Sequence, residues 1–296
     1  MLRMHRPGLR RERLTQIAFT LLCNGYLPGF LHGRIFAGPS KAVCVPVLNC
    51  YSCPGALGAC PIGALQAVLG RGSVPFYVLG TLMAFGVFLG RAVCGLLCPF
   101  GLVQDLLHKI PVRKRALPKR LDRALRWLKY VVLVLLVLIG PFLVALSRGT
   151  APPFFCEYIC PAGTLGAALP LMAVNAPLRS LAGALFGWKL ALLLLIAAIA
   201  VILPRPFCRY LCPLGAFYSL FNRVSFYRLH VDHTRCVQCG RCAAVCPMGV
   251  DARQEPDSPE CIRCGACRTA CPTQAIGQGF CVPSQDVPAE AEVSVK

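Results

Sequence analysis

The chain has 296 residues, 56% of them hydrophobic, with a mean hydropathy of +0.61, a reading that soluble domains rarely give. Its 20 cysteines exceed what core packing uses, and the chain is too long to be a small disulfide-stapled scaffold, so ligation of a cofactor is favoured. The net charge of +19 would suit nucleic acid, but the excess Lys and Arg flank apolar runs, as the positive-inside rule describes for membrane proteins, and nucleic acid is excluded as a partner.

Residues 1–13 carry Arg3, Arg6, Arg10, Arg11 and Arg13 and are expected to form a basic cytoplasmic start. An apolar stretch from Leu14 to about Phe36 is read as an uncleaved first span, although Cys23, Asn24, Gly25 and Pro28 make it the weakest; a signal peptide is the rival reading. His32 near its end reads as a rim residue or a relay. Cys44, Cys50, Cys53 and Cys60 then lie in a turn-rich loop with Gly and Pro between them. A second span is expected from Val74 to Val93, ending in Arg91 and the pair Cys94-Gly-Leu-Leu-Cys98-Pro. The basic segment 102–129 that follows is expected on the cytoplasmic side. His108, Gln104 and Asp105 are placed to form a quinone niche, or belong simply to that amphipathic segment.

A third span, Tyr130–Leu146, contains Pro141, a candidate kink. The next loop holds Cys156-Glu-Tyr-Ile-Cys160-Pro, where Glu157 is either a proton relay or an exposed carboxylate. A fourth span, Trp188–Leu203, leads to Arg205 and Cys208-Arg-Tyr-Leu-Cys212-Pro. The tetrad Cys-Pro-x-Gly thus recurs at Cys60, Cys98, Cys160 and Cys212, and the membrane region reads as two copies of one unit: outer Cys group, helix, inner Cys pair. Paired copies build sites between them. Cys94, Cys98, Cys208 and Cys212 offer the four thiolates of a cluster; Cys50 or Cys53 and Cys60, with Cys156 and Cys160, offer an outer set. A copper ion or a redox disulfide would also suit such pairs. Arg91 and Arg205 are candidate cofactor-binding residues that offset thiolate charge, or anchors of helix ends in headgroups. Cys23, Cys44 and Cys281 have no evident partner.

From Cys236 to Pro272 the run C-x2-C-x2-C-x3-C-P occurs twice. In that spacing three thiolates face one cluster and the fourth, held before proline, turns to the other. Cys236, Cys239, Cys242 and Cys271 are therefore assigned to one [4Fe-4S] centre, and Cys261, Cys264, Cys267 and Cys246 to a second. Structural zinc is the rival, disfavoured by the doubled spacing. This stretch resembles bacterial-type ferredoxins.

With spans, CxxxCP pairs and ferredoxin octet together, residues 14–276 resemble the membrane polyferredoxin family of NapH type, with CcoG-type relatives. The resemblance implies electron transfer between the quinone pool and a redox partner protein; CcoG-type relatives imply cupric-ion reduction. The extra outer cysteines depart from both and suggest redox groups at both membrane faces. The expected fold is mostly α: a polytopic membrane protein of about four transmembrane helices with an internal repeat, plus a small α+β two-cluster ferredoxin domain. The expected domains are the basic start 1–13, a membrane domain 14–228, a cytoplasmic ferredoxin domain 229–281 and a disordered tail 282–296. The expected cofactors are two [4Fe-4S] clusters in the ferredoxin domain and one or two further iron–sulfur clusters in the membrane domain. The expected partners are the cell membrane and redox proteins, with quinone left open and oligomeric state unread. The expected function is an electron relay, as carrier or oxidoreductase subunit; the alternative is a ferredoxin-fed cupric-ion or disulfide reductase using the CxxxCP pairs.

Overall fold

A computed structural model describes residues 7–115 and 117–280; the start of the basic segment, the tail and Cys281 lie outside the described residues. The helix Pro7–Cys23 ends at Asn24, and a separate short helix, Leu27–His32, follows. Two polar features produce this break: Asn24 turns its amide back on the Thr20 carbonyl, and Pro28 opens the next helix. The expected first span is therefore not one continuous apolar helix.

The expected second span is corrected in the same way. Phe76–Leu89 is a 14-residue helix, about 21 Å at 1.5 Å per residue, shorter than a ~30 Å hydrocarbon core. It stops at Gly90, whose φ of +55° favours glycine and where a Cβ would press on Asn222 Oδ1 at 2.7 Å. Only two helices among the described residues are long and apolar enough to cross a bilayer, Arg120–Arg148 and Ala184–Ile202. A four-span polytopic fold is thus not what this chain builds.

The first long helix runs unbroken through Pro141 because the turns before it, Val132–Ile139, are π-helical. The wider i→i+5 turns lie directly before the position where proline lacks an N–H. Its basic end is fastened inward: Asp122 Oδ2 accepts from Arg126 and from Arg209, each at 2.7 Å, and Asp122 Oδ1 accepts from Tyr210 at 2.6 Å.

Short helices opened by Cys-Pro surround the two long ones: Pro61–Leu69, Pro99–Leu107 and Pro213–Phe221. Proline suits the first helical position because it has no N–H to leave unpaired there. One core of buried residues joins these pieces and includes Cys60, Cys94, Cys98, Cys160, Cys208, Cys212 and Tyr218.

The C-terminal region has its own small core of Leu229, Cys242, Ala252, Cys261 and Ile276. Strands β1 (Tyr227–Val231) and β2 (Ile276–Phe280) pair antiparallel, Leu229 opposite Gln278, and bring the two ends of the region together. Its two cysteine loops repeat one backbone path. Gln238 and Arg263 take φ of +49° and +50°, and Gly240 and Gly265 take +70° and +71°.

The region is seated firmly on the helices. Asn222 Nδ2 donates to the carbonyls of Ser258 and Cys261, both at 2.8 Å. Glu260 accepts from Arg91 at 2.9 Å and from Lys129 at 2.5 Å, and both cations are fully buried. A buried triad of this kind is held by mutual pairing, since either cation left alone would be an uncompensated buried charge.

Candidate functional site

The paired cysteine loops bring Cys246 near the thiols of the second loop and Cys271 near those of the first. Cys267 lies within electrostatic reach of Cys261, Cys264 and Cys246, and Cys264 within reach of Cys246 and Cys261. Cys236, Cys239, Cys242 and Cys271 line one small pocket with Arg253 and Thr273.

A third set forms where two distant helix starts meet. Cys94 and Cys98 come from one CxxxCP segment, Cys208 and Cys212 from another, and all four are buried. Cys212 feels the charge of Cys208, Cys94 and Cys98. Burial pushes the Cys94 thiol up to about 11 and that of Cys208 up to about 12, so bare thiolates at these two positions would not persist without a cation.

The two segments exchange arginines across a local two-fold relation. Arg91 Nη2 donates to the Cys208 carbonyl at 3.3 Å, and Arg205 Nη1 donates to the Cys94 carbonyl at 2.8 Å. Glycine makes room on both sides: a Cβ on Gly101 would stand 3.4 Å from Arg205 Nη1, and one on Gly215 would stand 3.6 Å from Arg91 Nη2. Arg205 is also clasped by both oxygens of Asp105. Neither arginine reaches a surface, so headgroup anchoring is not their role. Arg91 Nε is buried with no hydrogen-bond partner among the described residues, and the guanidinium lies within electrostatic reach of Cys94 and Cys208.

A fourth set gathers the outer cysteines. Cys156 lies within reach of Cys160, Cys60 and Cys50, and Cys160 within reach of Cys60 and Cys50. These four thiols face a cavity of about 1150 Å³. Glycine again forms the cradle: a Cβ on Gly163 would stand 3.6 Å from Cys50 Sγ and 3.9 Å from Cys160 Sγ. Cys53 is turned aside, its thiol on Asn24 Oδ1 at 3.5 Å, so Cys50 is the fourth member of the set.

Four sulfurs in each set match the ligand count of a [4Fe-4S] cluster: all are buried in the third set, buried or half-buried in the fourth, and in the ferredoxin sets they range from buried Cys242 and Cys261 to exposed Cys239. Among the described residues no three Cys, His, Asp or Glu side chains converge closely enough to hold a single ion, and every described cysteine is a free thiol. Cys23 and Cys44 are buried outside the four sets. Of the residues read as a quinone niche, Asp105 and His108 line a cavity of about 230 Å³ beside Arg205, whereas Gln104 turns away to Cys208 Sγ. Glu157 is half-buried at the outer cavity.

The sets follow one another through contacts. A Cβ on Gly95 would run into the Ile262 carbonyl, so the Cys261–Cys264 loop rests directly on the Cys94–Cys98 segment. Arg205 lies within reach of both Cys208 and Cys264. Tyr218, fully buried, feels Cys94, Cys98 and Cys212 on one side and Cys60 on the other, and its hydroxyl donates to the Pro46 carbonyl at 3.0 Å. Sequence reading missed Tyr218 and Gln66; the recurrence Cys-Pro-x-Gly-x-x-Gln at Cys60 and Cys98 was the available signal for Gln66.

A family model described as a 4Fe-4S binding domain matches residues 58–77, 73–118, 130–170 and 185–230, and one described as a 4Fe-4S dicluster domain matches 228–272. The chain is 30% identical to the uncharacterized protein MJ0750 of Methanocaldococcus jannaschii over 208 residues, 67% of this chain and 76% of that protein. It is 32% identical to the methylamine utilization ferredoxin-type protein MauN of Paracoccus denitrificans over 162 residues, 53% of this chain and 48% of that one. It is 28% identical to the ferredoxin-type protein NapH of Haemophilus influenzae over 168 residues, 55% of this chain and 50% of that one. The chain thus spans only about half the length of these last two relatives. No solved structure matches.

Proposed function

The chain belongs to the NapH-type family of ferredoxin-like electron-transfer proteins and binds [4Fe-4S] clusters, and on that premise we propose that it is a membrane-anchored electron conduit with four cluster sites in a row. A [4Fe-4S] cluster in each cysteine set supplies one-electron redox chemistry. The observation that carries the reading is the unbroken order of the sets. Cys236/Cys239/Cys242/Cys271 is followed by Cys246/Cys261/Cys264/Cys267, then by Cys94/Cys98/Cys208/Cys212, then by Cys50/Cys60/Cys156/Cys160, with Arg205 and Tyr218 between successive sets.

The two long helices support a membrane setting. Only 28% and 17% of their apolar windows are buried, so neither is the core helix of a soluble fold. Leu143, Leu146, Leu194 and Leu195 face outward, as lipid-facing residues do. The order of the sets runs along these helices. Lys129 and Pro206 meet the third set and the ferredoxin region, whereas Lys189 donates to the Cys156 carbonyl at 3.2 Å beside the fourth. The basic end lies with the ferredoxin region, since Arg126 donates to the Met248 carbonyl at 2.9 Å. That side is the cytoplasmic one by the positive-inside rule, and the redox partners dock at the two ends. No observation favours the copper or disulfide reductase reading.

The test is anaerobic purification with iron and acid-labile sulfide analysis and an EPR redox titration. The expected content is about sixteen irons per chain, four for each set. A content of about eight would confine clusters to the ferredoxin region and overturn the proposal.

A further inference from the structure

Two glutamines make the same pair of contacts at the third and fourth cysteine sets. Gln104 Nε2 donates to Cys208 Sγ at 3.1 Å, and Gln104 Oε1 accepts the Phe207 backbone N–H at 3.1 Å. Gln66 Nε2 donates to Cys156 Sγ at 3.3 Å, and Gln66 Oε1 accepts the Phe155 backbone N–H at 2.9 Å. The two side chains are 1% and 0% exposed. Each stands six residues after the cysteine of one segment and reaches the first cysteine of the opposing CxxxC pair.

The orientation of each amide is chemically fixed. A backbone N–H only donates, so the atom facing Phe207 or Phe155 must be the amide oxygen. The NH₂ group is thereby left to donate to sulfur, sharing its nitrogen with the carbonyl one turn back, Phe100 at 3.3 Å for Gln104 and Ile62 at 3.2 Å for Gln66. The cost of burying an amide is met by these contacts, and the donor is held where water cannot compete with it.

We propose that Gln104 and Gln66 are matched tuning residues, each donating an N–H···S hydrogen bond to one thiolate ligand of a [4Fe-4S] cluster and raising that cluster's reduction potential. The proposal rests on the reading that the third and fourth sets hold clusters. Reduction adds one electron, and so one negative charge, to a cluster and its thiolates. A donor aimed at a ligand sulfur stabilises the more negative state, and hydrogen bonds to sulfur are among the determinants of cluster potential. The other two Cys-Pro-x-Gly segments carry Gly166 and Tyr218 at the equivalent position, so each of the two sets receives one amide donor. Equal treatment keeps the neighbouring potentials level, which suits a conduit that is traversed rather than one that traps charge.

A merely local structural role, capping the Phe155 and Phe207 N–H groups, makes a different prediction. Gln104→Glu and Gln66→Glu keep an oxygen for the backbone N–H but place an acceptor where the donor was. Gln104→Leu and Gln66→Leu remove both contacts. The experiment is anaerobic EPR redox titration of the four variants, each with its iron content measured. Iron at the wild-type level with the midpoint of the corresponding cluster shifted negative is the expected result. The shift expected is about tenfold in the reduction equilibrium, 59 mV for a one-electron couple, and larger for Glu than for Leu. Loaded Glu variants with unmoved midpoints would overturn the proposal, as would midpoints that move only in the Leu variants. A shift in all four signals at once would do the same, because it would mark general distortion. Loss of iron confined to one set in both variants of a glutamine would make that residue a structural cap, and the tuning role would fall. Wild-type iron near eight would refute the cluster reading itself and is thereby told apart from failure of the tuning role.

Discussion

Ala56 stands where the other three segments have the first cysteine of a CxxxC pair, and Cys50 arrives from the preceding loop to meet Cys60, Cys156 and Cys160. Local sequence offers both Cys50 and Cys53 for that place, because either lies within reach in a turn-rich loop. The choice is made by Asn24, which holds the Cys53 thiol, and by Gly163, whose missing side chain leaves room for Cys50 Sγ. Both determinants are distant in sequence, which is why the fourth thiolate was not legible. The ferredoxin octet could be proposed as ligands from spacing alone. Cys94, Cys98, Cys208 and Cys212 could be proposed as a set because repetition of CxxxCP marks them. Alanine at Cys50 is expected to lower iron by about four per chain, whereas alanine at Cys53 leaves iron unchanged. Equal losses from both substitutions would show that Cys53 shares the site.

At the scale of elements, hydropathy identified the two long helices well, since a sustained apolar run is a local property. It overcounted in the N-terminal half of the membrane region, where both of the first two expected spans fail. Apolar composition does not report that Asn24 and Pro28 divide one run, or that Gly90 is pinned against Asn222 and Ser225. The N-terminal helix Pro7–Cys23 is instead a brace over the second and third cysteine sets: Gln16 donates to the Cys98 carbonyl at 2.8 Å, and Glu12 packs at Gly265 and Arg268.

That brace has a pH dependence whose sign follows from Glu12. Burial pushes its carboxyl up to about 7, with Arg268 pulling back, and Glu12 Oε2 has no hydrogen-bond partner among the described residues. The docked helix therefore holds the proton more tightly than the free chain does. Docking is strongest below the ordinary carboxyl value of 4.5 and is weakened as pH rises through about 7. Amide hydrogen exchange across residues 12–23, corrected for its intrinsic pH dependence, is expected to quicken between about pH 5 and pH 7 and to level off above that. Glu12→Gln removes the titrating group and flattens that rise; an unchanged profile in the variant would assign the effect elsewhere.

At the scale of the whole molecule, one repeat has been used twice for two purposes. The Arg91/Arg205 exchange and the Gln66/Gln104 pair each relate two segments by the same local two-fold logic, and paired segments of this kind build a site between them. The ferredoxin region then attaches to one end only, through Glu260, Arg91 and Lys129, and makes the row of sets directional. Such a row has a consequence that a ferredoxin tethered to a membrane lacks: charge can pass where neither reductant nor oxidant can. A ~30 Å hydrocarbon layer is too wide for a single transfer step, so the third and fourth sets must both be filled for passage. The purified protein in sealed vesicles, with a membrane-impermeant oxidant trapped inside and an impermeant one-electron reductant added outside, is expected to consume the oxidant. Cys98→Ala leaves the ferredoxin sets intact and is expected to cut consumption to the rate of empty vesicles, while reduction of the outward-facing ferredoxin clusters stays visible by EPR. Consumption undiminished by Cys98→Ala would mean that charge does not travel through the buried sets.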